Sequence, residues 1–118
     1  MNLKLCESDY KFMSIIWENE PIRSGKLVEL CASRLNWKKS TTYTTLKKAC
    51  DKGLAQNENT IVTSLVKKEE VQEFESKHIV EESFSGSLPS FLTSFFAGKK
   101  ISDKEANELK KLIDDFKE

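Results

Sequence analysis

The sequence has few of the residues that would indicate a secreted, membrane-bound or metal-binding protein. Its three cysteines, Cys6, Cys31 and Cys50, are widely spaced and form no C-x-x-C pair or zinc-finger pattern. The single histidine, His78, lies far along the chain, so we expect neither a metal site nor any other cofactor. No apolar run reaches membrane-spanning length, and the N-terminus lacks the pattern of a secretion signal. We therefore expect a cytoplasmic protein without a membrane partner.

Signatures of catalysis are missing as well. The sequence shows no phosphate-binding loop, no paired carboxylates in a cleft signature and no nucleophile with a histidine partner. We therefore do not expect an enzyme. At 118 residues the chain suits one ordinary domain, or a small domain with an attached second element. Its 38% hydrophobic and 32% charged residues favour helices and are compatible with burial against a second subunit.

Charge is balanced over the whole chain but unevenly distributed along it. Residues 1–66 carry a net charge of +3 and residues 67–118 carry −3. Residues 34–52 contain six basic residues and one acid, a local net charge of +5. A basic patch on one element of a neutral chain is the electrostatic footprint of a nucleic-acid reader. The sequence therefore favours double-stranded DNA as a partner.

The basic patch coincides with a predicted helix over residues 38–53, which Gly53 ends. One face of this helix holds the residues that we expect in the core, Thr42, Leu46, Ala49 and Cys50. The opposite side carries hydroxyl groups and lysines, which bond phosphate oxygens and base edges. We predict DNA contacts from Lys39, Ser40, Thr41, Tyr43, Thr44, Lys47 and Lys48. The alternative is a solvated surface helix, which the four threonines disfavour because such faces usually carry Glu, Lys and Gln.

The remaining N-terminal sequence fits two more helices and a hairpin. Periodicity predicts a helix over residues 6–18, capped by Ser8 or Cys6, and a second one that runs from the cap residue Ser24 to Leu35. Two short strands are predicted after Gly53, joined by a turn at Glu58-Asn59. Three helices followed by such a hairpin are the plan of a winged helix-turn-helix. An acidic tip would be repelled by phosphate, so we expect the wing to be a weak DNA contact.

From residue 67 the sequence becomes helical and acidic, with a short helix after Pro89 and a last helix after the capping-box sequence Ser102-Asp103-Lys104-Glu105. These helices have too few residues to bury their own apolar faces. We predict a dimer interface that includes Phe91, Phe95, Leu109, Leu112, Ile113 and Phe116. The alternative is that they cover the winged domain. The predicted fold class is mainly α with a small β-hairpin: a winged helix-turn-helix domain over residues 1–66 and a helical dimerisation domain over residues 67–118.

One motif is specific enough to compare with a known family. Trp37 is followed four residues later by Thr41-Thr42-Tyr43-Thr44-Thr45-Leu46, and the segment closes in Lys52-Gly53-Leu54. This pattern resembles the penicillinase repressor family, the BlaI/MecI group, in which Trp precedes Thr-Val-Tyr-Thr-Leu-Leu and then Lys-Gly-Leu. Phe12-Met13 followed by Trp17 in the first helix is similar to the family's Val-Met and Trp. The resemblance extends over nearly the whole chain.

The resemblance implies a homodimeric winged-helix repressor on a palindromic operator upstream of antibiotic-resistance genes. In well-known members a sensor-linked protease cuts the dimerisation domain between Asn and Phe, and Ser94-Phe95 is the matching position here. A related copper-responsive branch carries a C-terminal cysteine cluster, whereas this chain ends Asp115-Phe116-Lys117-Glu118. That ending argues against copper sensing. The remaining alternative is a winged-helix protein-interaction module that does not bind DNA.

Overall fold

The computed structural model describes residues 2–118, and within them the chain forms six α-helices and three short β-strands. In chain order these are α1 (Glu7–Asn19), β1 (Ile22–Arg23), α2 (Ser24–Leu35), α3 (Lys39–Asp51), β2 (Ala55–Glu58), β3 (Ile61–Ser64), α4 (Lys68–Phe84), α5 (Leu88–Phe96) and α6 (Asp103–Phe116). The residues form two compact units, of which the first ends at His78 and the second begins at Ile79. The predicted fold class is confirmed: a winged helix-turn-helix followed by a helical C-terminal region.

The first unit is built around the apolar face of α1. Phe12, Met13 and Ile16 of this helix are fully buried because they recur at helical spacing. The core around them also takes in Ile15, Ile22, Leu27, Cys31, Leu46, Ala49, Leu54, Ala55, Val62, Val66 and Val71. Trp37 is stacked on Phe12 with 5.9 Å between the ring centroids, so it packs against the core as predicted.

The first residues of α4 belong to this core. Val71 is fully buried within it, five residues after the predicted domain boundary at residue 66. The indole Nε1–H of Trp17 donates to the Val66 carbonyl at 2.9 Å and fixes the chain just before α4. The division into domains of residues 1–66 and 67–118 stays a prediction, and a fragment meant to fold alone should extend to His78.

The sheet has a third strand that the sequence analysis missed. Its order is β1-β3-β2, all antiparallel, with Ile22 opposite Val62 and Arg23 opposite Ile61. Just before β1, the Glu20 carboxylate accepts hydrogen bonds from the backbone N–H of Ser64 at 2.8 Å and from the Ser64 hydroxyl. A strand of two residues is too short to show the alternation on which strand prediction depends. The predicted two-stranded hairpin is therefore corrected to a three-stranded sheet.

The wing turn lies one residue further along than predicted. Glu58 is the last residue of β2, opposite Ile61, and the turn consists of Asn59 and Thr60. Both turn residues have positive φ, at 52° and 68°, as the two-residue turns of twisted hairpins require. The predicted turn at Glu58-Asn59 was wrong. A turn one residue earlier would break the pairing of Glu58 with Ile61.

Helix starts agree with the sequence in the second unit and at α1, whose N-cap is Cys6 although its side chain makes no capping bond, and differ from it at α2. The hydroxyls of Ser87 and Ser102 accept from the backbone N–H groups of Ser90 and Glu105, at 3.2 and 3.1 Å, and so cap α5 and α6. By contrast, Ser24 is the first helical residue of α2, and its N–H instead donates to the Thr60 carbonyl at 2.8 Å. The predicted cap role of Ser24 is therefore corrected, since its amide is used to join α2 to the wing.

Candidate nucleic-acid interface

Helix α3 is held in place by one buried face and a fixed C-terminal end. Thr42, Leu46 and Ala49 are 1%, 3% and 5% exposed, whereas Cys50, which was expected in the core, is only half-buried at its edge. Gly53, with φ of 77°, donates to the Cys50 carbonyl, and the next amide donates to the Ala49 carbonyl at 2.9 Å. This pair of hydrogen bonds is the Schellman motif, which fixes the C-terminal end of the helix. The face of α3 opposite its buried residues is exposed.

The outward face of α3 carries every residue that was predicted to bind DNA. All of them are exposed: Lys39, Ser40, Thr41, Tyr43, Thr44, Lys47 and Lys48. Ser40, Thr44 and Lys47 follow each other at i, i+4 and i+7 and form its central row. Tyr43 is 39% exposed and lies nearer the buried side. We call this set of seven residues the α3 face.

The hydroxyl groups of the α3 face have no hydrogen-bond partners in the part of the chain that the structure describes. Among residues 2–118 the side chains of Ser40, Thr41, Tyr43 and Thr44 make no hydrogen bond. The buried Thr42 is different, because its hydroxyl donates to the Lys38 carbonyl at 3.3 Å. Hydroxyls that are exposed and unbonded can donate to, or accept from, phosphates and base edges without breaking an internal contact.

The cations of the basic segment fall into two groups. Arg34 is paired with Glu18 at 2.6 Å and Lys52 with Asp9 at 3.2 Å, so α1 neutralises both ends of the segment. The four others form no ion pair among the described residues 2–118; they are Lys38, Lys39, Lys47 and Lys48. The usable charge of the segment is therefore smaller than its composition indicates and is concentrated on α3.

Sequence reasoning left Lys38 out of the predicted site. It is exposed and is the N-cap residue of α3, where it makes no side-chain capping bond, and the first turn that follows contains no acid. The first N–H groups of a helix lack intrahelical partners and favour negative charge. The signal that could have added Lys38 to the predicted site was its place in residues 34–52, which hold five other basic residues.

The residues predicted to form a dimer interface lie in the second unit, where no residue from 79 to 118 is buried. The exposed fractions of Leu112, Ile113 and Phe116 in α6 are 51%, 59% and 81%. Phe95 of α5 is 51% exposed, while Phe91 and Leu109 are half-buried. Their exposure fits a role in association, and the interface itself stays a prediction.

The proposed cleavage position lies inside α5. Ser94 and Phe95 are both exposed and helical, and the Lys99 ammonium lies 4.2 Å from the centre of the Phe95 ring. The Ser94 carbonyl accepts from the Ala97 N–H at the helix end, at 3.3 Å. A protease that needs extended backbone would have to unwind the last turn of α5.

Two of the three cysteines have a thiol pKa above its ordinary value. Burial raises the pKa of the Cys31 thiol, and a hydrogen bond with Thr42 partly opposes that rise. Burial and the nearby Asp51 carboxylate raise the pKa of Cys50.

Within residues 2–118 no group of three or more His, Cys, Asp or Glu side chains is placed to hold a metal ion. No helix in this part of the chain is both long and apolar enough to span a membrane.

Comparison with known proteins identifies the family. The profile of the penicillinase repressor family matches residues 5–115, nearly the entire chain. The chain belongs to the penicillinase repressor family. A penicillinase repressor of Bacillus licheniformis is 20% identical over 118 residues, covering 97% of this chain and 92% of the relative. The methicillin resistance regulatory protein MecI of Staphylococcus epidermidis is 21% identical over 114 residues, covering 93% of each.

Membership of the penicillinase repressor family confirms the resemblance that was drawn from the motif between Trp37 and Leu54. It places the chain among transcriptional regulators of the repressor type. At about one residue in five, identity to the two relatives is too low to transfer individual contacts.

Proposed function

We propose that this chain is a sequence-specific DNA-binding repressor that acts as a homodimer on a palindromic operator. The observation that carries the proposal is the α3 face, on which unbonded hydroxyls and unpaired lysines project from a helix whose other side is fixed in the core. In a helix-turn-helix the second helix enters the major groove, where hydroxyls and ammonium groups meet acceptors on base edges. Lys39, Lys47 and Lys48 would contact phosphate, and Ser40 and Thr44 of the central row would face the bases.

The homodimer is supported by the apolar surface of α6. Leu109, Leu112, Ile113 and Phe116 lie on one stripe of this helix, and the last three are more than half exposed. A monomer would leave this stripe in water at a cost of about 25 cal/mol per Å² of apolar surface. A two-fold pair of chains would cover both stripes at once and would present two α3 faces to one duplex.

The regulated genes and the inducing step follow from the family and remain proposals. The names of the two relatives refer to penicillinase and to methicillin resistance, so we propose that this chain controls antibiotic-resistance genes. We further propose that a sensor-linked protease relieves repression by cutting at Ser94-Phe95. Cutting there would separate α6 from the first unit while leaving the α3 face intact.

A winged-helix interaction module without DNA binding is the second candidate. One observation favours it: residues 54–66, which include the wing, contain no Lys or Arg, and Glu58 is exposed beside the turn. Such a wing would repel phosphate. The α3 face outweighs this, because Lys39, Lys47 and Lys48 form no ion pair among residues 2–118 and give one helix the local positive charge expected of a nucleic-acid reader.

Selection of bound duplexes from a random pool by the full chain would test the proposal. We expect enrichment of a palindromic sequence whose binding weakens steeply as salt is raised. The triple variant Thr41→Ala/Thr44→Ala/Lys47→Ala serves as the control and should enrich nothing, since all three side chains are exposed and the fold should persist. Failure of the unmodified chain to enrich any sequence would favour the interaction module.

A further inference from the structure

The sheet places one arginine beside the wing without a partner. Arg23 is the last residue of β1 and is exposed, and among residues 2–118 its side chain forms neither an ion pair nor a hydrogen bond. The other arginine of the chain, Arg34, is held by Glu18. Arg23 is therefore the only arginine of this region that is free to meet an external anion.

The position of Arg23 relative to the wing is fixed by backbone bonds. It pairs with Ile61 at the start of β3, and the next amide, that of Ser24, donates to the Thr60 carbonyl of the wing turn at 2.8 Å. Because β1 and β3 are antiparallel, β1 runs toward the turn and ends next to it. Arg23 thus lies beside the tip of the wing, and residues 54–66, which include the wing, contain no Lys or Arg.

The local charges around Arg23 leave this cation available. Helix α2 starts directly after it and has no acid in its first turn, and the neighbouring Lys26 is already paired with Glu29 at 3.4 Å. Glu58 lies in the same row of the sheet, on the far side of Ile61. Two strand spacings put these backbones roughly 10 Å apart, and no salt bridge joins the side chains in the structure.

We propose that Arg23 supplies the wing-side phosphate contact that the hairpin lacks. This inference rests on the proposed function, since it assumes that the α3 face enters the major groove. The first helix of a helix-turn-helix crosses the sugar-phosphate backbone beside that groove, and Arg23 lies at its start. A planar guanidinium matches a phosphate with two parallel N–H donors, so one such contact fixes orientation as well as adding charge.

The test compares Arg23→Gln with Arg23→Lys in the full chain on a duplex selected by the unmodified protein. Arg23→Gln should weaken binding several-fold and flatten the slope of log affinity against log salt by about 0.9, the value for one lost phosphate contact. It should do so equally on selected and random duplexes. Arg23→Lys should keep the slope, and Lys26→Gln, whose partner is Glu29, is the matched control that should change little.

A second variant separates phosphate binding from simple neutralisation of the wing. If Arg23 only offsets the Glu58 carboxylate, its replacement should have no effect once Glu58→Gln is present, and the proposal would be wrong. If it binds phosphate, Arg23→Gln should flatten the salt slope by the same amount in both backgrounds. An unchanged salt slope in Arg23→Gln, with a flattened slope in Lys47→Ala, would overturn this inference alone. Absence of binding by the unmodified chain would instead overturn the proposed function.

Discussion

Substitutions on α3 can remove either a contact within the protein or a contact with a ligand, depending on the side chain. Thr42 is buried and bonded to the Lys38 carbonyl, so its loss would disturb the helix itself. Thr44 is exposed and unbonded, so its loss should affect only a ligand. This contrast allows the proposed DNA-reading function of α3 to be tested without unfolding the unit that carries it.

Replacing Thr44 should therefore alter DNA binding and leave stability nearly unchanged. We expect Thr44→Ala to cost on the order of 1–3 kcal/mol on the selected duplex where a base edge is read. Thr44→Ser keeps the hydroxyl and removes the methyl, so it separates hydrogen bonding from contact with a thymine methyl. The measurement is fluorescence anisotropy, with thermal unfolding of the same variants alongside. Thr93→Ala on α5 is the control for DNA binding only, because the Thr93 hydroxyl donates to the Pro89 carbonyl and its loss can alter stability. Full affinity in both Thr41→Ala and Thr44→Ala would refute the assignment of the α3 face.

The lysines of the α3 face should act on all DNA sequences alike. Lys47→Ala or Lys48→Ala should each weaken binding to selected and random duplexes and flatten the salt slope by about 0.9. Lys77→Ala removes an exposed lysine that is paired with Glu73 on α4 and should leave the slope unchanged. A loss confined to one sequence would show that the lysine reads bases and does not bind phosphate.

At the scale of single elements, the wing turn stores strain that a substitution should relieve. Thr60 is β-branched and has a φ of 68°, where L residues other than Gly, Asn and Asp are disfavoured. We expect Thr60→Gly to raise the free energy of unfolding by about 1 kcal/mol, because Asn-Gly is the preferred pair in such turns. Urea unfolding of the full chain measures this. Asn59→Gly should give a smaller gain, and a lower urea midpoint for Thr60→Gly would contradict the turn geometry.

The long periodic helices and the two strands of the hairpin could be predicted from the sequence, and the two-residue strand β1 could not. The two faces of α3 follow from helical spacing, and Gly53 ends the helix because its backbone needs positive φ. Strand β1 has only two residues and depends on pairing with β3, about forty residues away. The partners of Arg34 and Lys52 lie 16 and 43 residues earlier in the chain. Composition could therefore locate the basic segment but could not show which of its cations are free.

At the scale of the whole molecule, association should depend on α6. Leu112→Asp places a charge on the apolar stripe, so a two-fold interface there would have to bury an unpaired carboxylate. We expect this variant to sediment as a monomer and to bind the palindromic duplex more weakly than the unmodified chain. Lys110→Asp introduces the same charge away from the stripe and should remain dimeric. A monomeric unmodified chain at micromolar concentration would refute the interface.

The measurement closest to the central claim is the affinity of the full chain for duplexes that differ only in half-site spacing. Two α3 faces in one dimer should enter successive major grooves on one side of the duplex, about 34–36 Å apart. Inserting five base pairs between the half-sites turns them to opposite sides, and only one module can then bind. We predict a loss of at least about tenfold for the five-base-pair insertion, with random-sequence binding unchanged. Equal affinity for both spacings would contradict a dimer that reads a palindrome with its α3 faces.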